Sequence, residues 1–189
     1  MSKLLMRNIK VRLSDEKLEE ILRATDNLKW VKPWIVDHQW YMGWCGEWAI
    51  FQYLNSGGWN VSKPDMTVWP EYNKLWKNDL LLECKGCSEK IGIHSKINRN
   101  GSNDPCWVFE KTDPGMSPNY KSEKCKCGKL AEIFVFVDRG KSRNEFVIRW
   151  IGPMDILYDL RSPFIWKWTE TINPDKYRIN EDSLINMGQ

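Results

Sequence analysis

The feature that most constrains how this chain can fold is a pair of cysteine couplets, "CKGC" at Cys84 and Cys87 and "CKC" at Cys125 and Cys127. A tight couplet lets one turn present two thiolates to a single tetrahedral ion, and two such turns complete the four ligands of a structural zinc site. If the couplets meet, two distant segments are pinned together. Each couplet must then lie at a turn, because in mid-strand successive side chains point to opposite faces. The second couplet has one intervening residue where two are commoner, so four unrelated reduced thiols are the plainer alternative. Cys45 and Cys106 are left over and read as small buried hydrophobes. Disulfides are not expected. The opening "MSKLLMRNIKVRLSDEK" lacks the apolar run of a signal peptide, and the cytoplasm keeps thiols reduced. No stretch approaches the roughly 20 apolar residues of a membrane span. The expectation is a soluble, cytoplasmic protein with no membrane partner.

The 189 residues are most economically a single domain. It divides into an N-terminal helical lead over 1–37, a central core over 38–152, and a C-terminal helix and tail over 153–189. The net charge of +3 gives only a weak overall field, so contact with nucleic acid would need a local basic patch. The twelve tryptophans are spread along the chain without repeat. They read mainly as core residues, although tryptophan can also stack on bases.

Ser14 ahead of "DEKLEEILRATDN" is a helix cap followed by acidic residues, with Leu18, Ile21 and Leu22 at helical spacing. A second helix is predicted over "DHQWYMGWCGEWAIFQYLNS", stopped by Gly57 and Gly58. It carries Glu47 inside its apolar stripe, where a carboxylate needs a partner, since desolvating it alone costs several kcal/mol. Strands are predicted over 65–69, 79–85, 90–97, 106–111, 131–138 and 146–152, with a loop over 112–129 and a helix at "MDILYDLR" after Pro153. The apolar run "AEIFVFVD" reads as a central strand covered on both faces. The fold class is α/β or α+β, a mixed sheet flanked by helices, with a zinc-stapled hairpin.

A metal-dependent nuclease needs carboxylates converging on one or two Mg²⁺ ions, plus a lysine that orients the attacking water and offsets phosphate charge. Those ingredients occur here as Glu47 on a helix, an aspartate on one strand, and an acid or its substitute two residues before a lysine. In this order, "GEWAIFQYL", "KPDMTVW" or "WKNDL", then "LECK" or "IHSK", resembles the PD-(D/E)xK nuclease superfamily with its restriction-endonuclease-like fold, over about Gly46 to Asp155. The resemblance implies hydrolysis of DNA phosphodiester bonds with Mg²⁺ or Mn²⁺. It points towards small restriction and phage endonucleases, with DNA as partner and pairing into a homodimer left open.

Two registers fit. One uses Glu47, Asp65, Glu83 and Lys85. The other uses Glu47 and Asp79 as metal ligands, with Lys96 positioning the water and His94 standing where the family has an acid. Asp79 and Glu83 cannot share one ion, being about 13 Å apart along a strand. A zinc hairpin tip at Cys84 and Cys87 favours the second register. It carries Glu83 and Lys85 away with the zinc, and antiparallel pairing centred near Cys87 and Ser88 sets Asp79 against Lys96. The departure is His94, since a neutral imidazole is a poor ligand for Mg²⁺. Lys90, Arg99, Lys121, Lys124, Lys126 and Lys129 are the expected phosphate contacts.

Each residue also has a plainer role: Asp65 as a turn signal, Lys85 and Lys96 as edge-strand lysines, His94 as a structural histidine. The alternative function is a zinc-containing nucleic-acid-binding protein that has lost catalysis on a nuclease-like scaffold, and a third is a structural protein using tryptophans as contact surface. Neither would cleave DNA.

Overall fold

The computed structural model describes residues 8–31, 37–66, 79–98, 106–110, 113, 115–160, 162–168 and 171–180, without the side chains of 28–31, 37–39, 106, 110, 160, 162–168, 171–176 and 180. The architecture is mixed α+β. Strand β1 (Ile9–Arg12) is followed by helices α1 (Asp15–Val31) and α2 (Asp37–Ser56), then β2 (Leu80–Glu83), β3 (Lys90–Asn98) and β4 (Cys106–Glu110). Strands β5 (Ile133–Arg139) and β6 (Glu145–Pro153), a short helical turn α3 (Leu157–Leu160), and strands β7 (Ser162–Trp168) and β8 (Thr171–Asn180) complete it.

Both long helices have the ends their sequence calls for. Ser14 Oγ accepts the Lys17 N–H at 3.2 Å, which satisfies one of the free donors of the first turn of α1. At the end of α2, Gly58 has φ +75°. Its N–H reaches the Asn55 carbonyl while that of Trp59 reaches Leu54, the paired bonds by which a left-handed glycine closes a helix.

The main sheet has the order β1-β6-β5-β3-β2, and β4-β8-β7 form a second sheet. Within the main sheet β3 and β5 run parallel, while the other pairs are antiparallel. Strand β5 is central, as its apolar run requires. Val135 and Val137 pack with Met42, Cys45 and Ile50 of α2, while Phe134 and Phe136 on the opposite face pack with Trp107, Phe109 and Trp150.

Several elements differ from expectation. Among the described residues the two long helices cover one face of the main sheet, while aromatic residues of the second sheet, with Met154 and Leu157 of the short helical turns, cover the other. The expected helix after Pro153 is a 3-10 turn, Met154–Ile156, and the single turn α3. The expected tail is the β7–β8 hairpin. The alternating Phe164, Trp166 and Trp168 are the two-residue period of a strand. In the segment expected as a strand over 65–69, residues 65 and 66 are not in a strand and the rest lies outside the described residues. The free edge of β2 is met earlier, by a bridge from Val61 to Leu82.

Candidate functional site

The couplets meet. Cys84 follows directly after β2 and begins a tight turn in which the Ser88 N–H bonds the Cys84 carbonyl and the Cys84 N–H bonds that of Glu89, both at 2.8 Å. Around Cys125 a second turn is closed by the Gly128 N–H on the Cys125 carbonyl at 2.8 Å and by the Cys125 N–H on Leu130 at 2.9 Å. The four sulfurs of Cys84, Cys87, Cys125 and Cys127 all lie within 4.8 Å of one another. Cys125 Sγ is 3.4 Å from those of Cys84 and Cys127, and Cys84 and Cys127 are 3.5 Å apart. A tetrahedron with zinc–sulfur bonds of about 2.3 Å has edges of about 3.8 Å, so the four thiols form a cage of zinc-site size. Burial works against the Cys125 thiolate, but the Leu130 N–H, 3.2 Å from Sγ, and the neighbouring thiols outweigh it and bring the thiol down to about 6. Gly86 lies close against this cage: a Cβ there would stand 3.1 Å from Cys127 Sγ.

The second site lies beyond the other end of β2, in a cavity of about 290 Å³ lined by Trp44, Glu47, Ser62, Lys63, Asp65 and Asp79 among others. Three elements deliver its acids. Helix α2 approaches β3 closely because Gly46 has no side chain: a Cβ would lie 3.3 Å from Ile97 Cδ1. The next residue, Glu47, is thereby set at the sheet. Asp79 sits at the bend before β2, its N–H on the Ile93 carbonyl at 3.0 Å. Its Oδ2 accepts the N–H and hydroxyl of Ser95 at 2.6 and 2.8 Å. Asp65 follows the segment anchored to β2, where the Ser62 N–H bonds the Leu81 carbonyl and Ser62 Oγ accepts the Leu81 N–H, both at 2.8 Å.

Burial of Glu47 and Asp79 beside other carboxylates disfavours the charged forms of these two. Burial, then the charges of Asp79 and Asp65, push Glu47 well above the ordinary carboxylate range. Burial also raises Asp79, opposed by the two Ser95 hydrogen bonds and then by His94 and Lys96. Among the described residues, no hydrogen-bond donor reaches the Glu47 carboxylate. Among the described residues the four cysteines are the one group of potential metal ligands already drawn together, their sulfurs within 4.8 Å of one another, so the pocket acids are looser than the thiols.

The two sequence registers are therefore mixed. Glu47, Asp65 and Asp79 share a pocket, while neither proposed lysine lines it. Leu80 faces Ile93, so Asp79 falls against His94 and not Lys96. The turn is centred between Gly86 and Cys87, not between Cys87 and Ser88. Along β3, Ser95 and Ile97 face α2, whereas His94 and Lys96 face the second sheet. His94 Nε2 is 3.5 Å from Glu132 Oε1, and Lys96 Nζ is 3.3 Å from Asp113 Oδ2 and 5.1 Å from the centre of the Phe109 ring. At the cysteine end, Glu83 accepts a hydrogen bond from Asn60, and Lys85 Nζ lies 4.7 Å from the centre of the Trp59 ring. Lys90, Lys121, Lys124, Lys126 and Lys129 are exposed, and Arg99 lies outside the described residues. Cys45 is buried, as expected, and burial raises its thiol to about 12.

Sequence reasoning missed Ser95 and Lys63. A serine that orients an aspartate carries no signature of its own. Lys63 had one available signal, the "KPD" run that places it two residues from Asp65.

No known protein family, curated protein or solved structure matches the chain. None of the described helices is long and apolar enough to cross a membrane.

Proposed function

We propose that the protein is a divalent-metal-dependent endonuclease on DNA, with a restriction-endonuclease-like core and a structural zinc ion held by Cys84, Cys87, Cys125 and Cys127. The observation that carries this reading is the convergence of Glu47, Asp65 and Asp79 on one cavity with no cation bonded to the Glu47 carboxylate among the described residues. Carboxylates whose protonation is favoured only by burial and mutual repulsion are relieved by a hard cation, which takes oxygen ligands. Bound Mg²⁺ or Mn²⁺ supplies Lewis acidity to the phosphate and lowers the pKa of its water. Glu47, Asp65 and Asp79 hold the ion, and Ser95 fixes the Asp79 carboxylate, leaving its second oxygen for coordination. The zinc cage is structural, since four thiolates leave no position for substrate.

Lys90, Lys121, Lys124, Lys126 and Lys129 remain the proposed phosphate contacts. A zinc tetrathiolate has a net charge of −2, so part of their charge is balanced locally. The salt dependence of DNA binding should accordingly be shallower than five released counterions would give. The test is cleavage of supercoiled plasmid in Mg²⁺ and in Mn²⁺, against a control with chelator. Cutting that needs the ion and fails in Asp79→Asn supports the proposal. DNA retention without cutting under any ion points instead to a binding module.

A further inference from the structure

The acidic pocket has a lysine of its own. We propose that Lys63, not Lys96 or Lys85, is the catalytic lysine, its ammonium serving the phosphate and the attacking water; this rests on the nuclease reading above.

The backbone explains how Lys63 arrives there. Asn60 to Ser62 run along the free edge of β2, bonded to Glu83 and Leu81 and bridged at Val61. The next residues overshoot the end of the strand at the point where Asp79 stands. Pro64 holds Lys63 in extended conformation, because the proline ring disfavours helical geometry at the preceding residue. In extended chain, residues two apart project to the same side. The burial follows that pattern, with Pro64 buried and Lys63 and Asp65 exposed. Lys63 and Asp65 thus rise together at the pocket mouth, and both line the cavity with Glu47 and Asp79. The other lysines are engaged elsewhere, Lys96 with Asp113 on the far side of β3 and Lys85 over Trp59 at the cysteine end.

In the reaction, a water oxygen bonds to phosphorus, the bond from phosphorus to the leaving sugar oxygen breaks, and that oxygen takes a proton from solvent while the water's proton is lost to solvent. Lys63 stays protonated throughout. Its ammonium offsets the charge that gathers on the phosphate oxygens. Because Lys63 lines the same cavity, its positive charge would repel a cation bound there. It therefore competes with the metal ion, a property that can be measured without DNA.

The experiment compares wild type, Lys63→Ala, Lys63→Arg, Lys96→Ala and Lys85→Ala in two assays. In plasmid cleavage with Mn²⁺ at saturating DNA, Lys63→Ala should lower kcat by about 100-fold with little change in KM. Lys63→Arg should recover part of the rate, and the other two variants should stay within a few-fold of wild type. In calorimetric titration with Mn²⁺ alone, Lys63→Ala should bind the ion several-fold more tightly. Unchanged kcat in Lys63→Ala, or loss of cutting confined to Lys96→Ala or Lys85→Ala, overturns the assignment. If wild type fails to cut, the nuclease reading fails, and the titration then decides Lys63 by itself: unchanged Mn²⁺ affinity removes it from the pocket, and tightened affinity keeps it there.

Discussion

Glu47 is held in a setting that favours its proton, and this has a consequence for stability with a definite sign. Its pKa in the folded protein is raised, by burial first and by Asp79 and Asp65 next, so the folded state binds more protons than the unfolded one above the ordinary carboxylate range. Stability then falls as pH rises from that range through the folded pKa. In chelator, thermal melts of wild type should decline over that window, and Glu47→Gln should flatten the decline and melt higher at pH 8. Adding Mn²⁺ at ten times its Kd should stabilise wild type by about 1.4 kcal/mol, or roughly 3–6 °C, and leave Glu47→Gln unmoved. A wild type that melts identically with and without Mn²⁺ would contradict a metal site there. The sequence announced Glu47 because a carboxylate in an apolar stripe needs a reason. It also offered Asp65 and Asp79, but as rivals, because strand spacing alone could not show that the chain preceding β2 returns to the strand's own end. Lys63 drew no reading of its own, since the proline and aspartate that follow it are common turn residues and drew attention to Asp65 alone.

At the scale of elements, the β2–β3 hairpin carries both sites, one at its tip and one at its open end. Its existence and its cysteine tip were legible, because two couplets can share an ion only at turns. Its register was not. The turn residues 84–89 close around the Cys84 carbonyl with Ser88 at φ +57°, a left-handed conformation that no periodicity in the sequence reports. The resulting shift sets Asp79 against His94, and the alternation of side chains then turns Lys96 to the far face. The staple makes two predictions. Purified protein should contain one zinc per chain by elemental analysis, and Cys125→Ser should lose it and melt lower by roughly 10 °C, as expected for several kcal/mol of lost metal binding. Gly86→Ala should weaken zinc retention against a chelator, because its Cβ would press on Cys127 Sγ at 3.1 Å. A metal-free protein with full stability would rule out the staple.

In the described residues the main sheet lies between unlike covers, the two long helices on one face and a three-stranded sheet with the short helical turns on the other. The first cover was legible from helical periodicity and caps. The second was not, because its strands come from distant parts of the chain, and among the described residues β4 pairs only with β8. Removing residues 161–189 would leave β4 unpaired and expose Trp107, Phe109, Phe136 and Trp150. Near-UV circular dichroism should then show loss of fixed aromatic packing, and Phe136→Ala should cost about 3–5 kcal/mol in denaturant melts. In β6 the Trp150 ring lies across Gly152, where a Cβ would come within 2.1 Å of it, so Gly152→Ala should destabilise the same layer. This two-sided support holds the ends of β2 and β3 in place, and with them the carboxylates at the far end from the cysteines. Metal-dependent cleavage rests on those carboxylates, and the most direct test is plasmid cleavage in Mn²⁺ by wild type beside Glu47→Gln, each checked for folding and zinc content. Wild type should cut and stop with chelator, and cutting should fall by at least about 100-fold in Glu47→Gln; equal cutting by both proteins would rule out a metal site on those carboxylates.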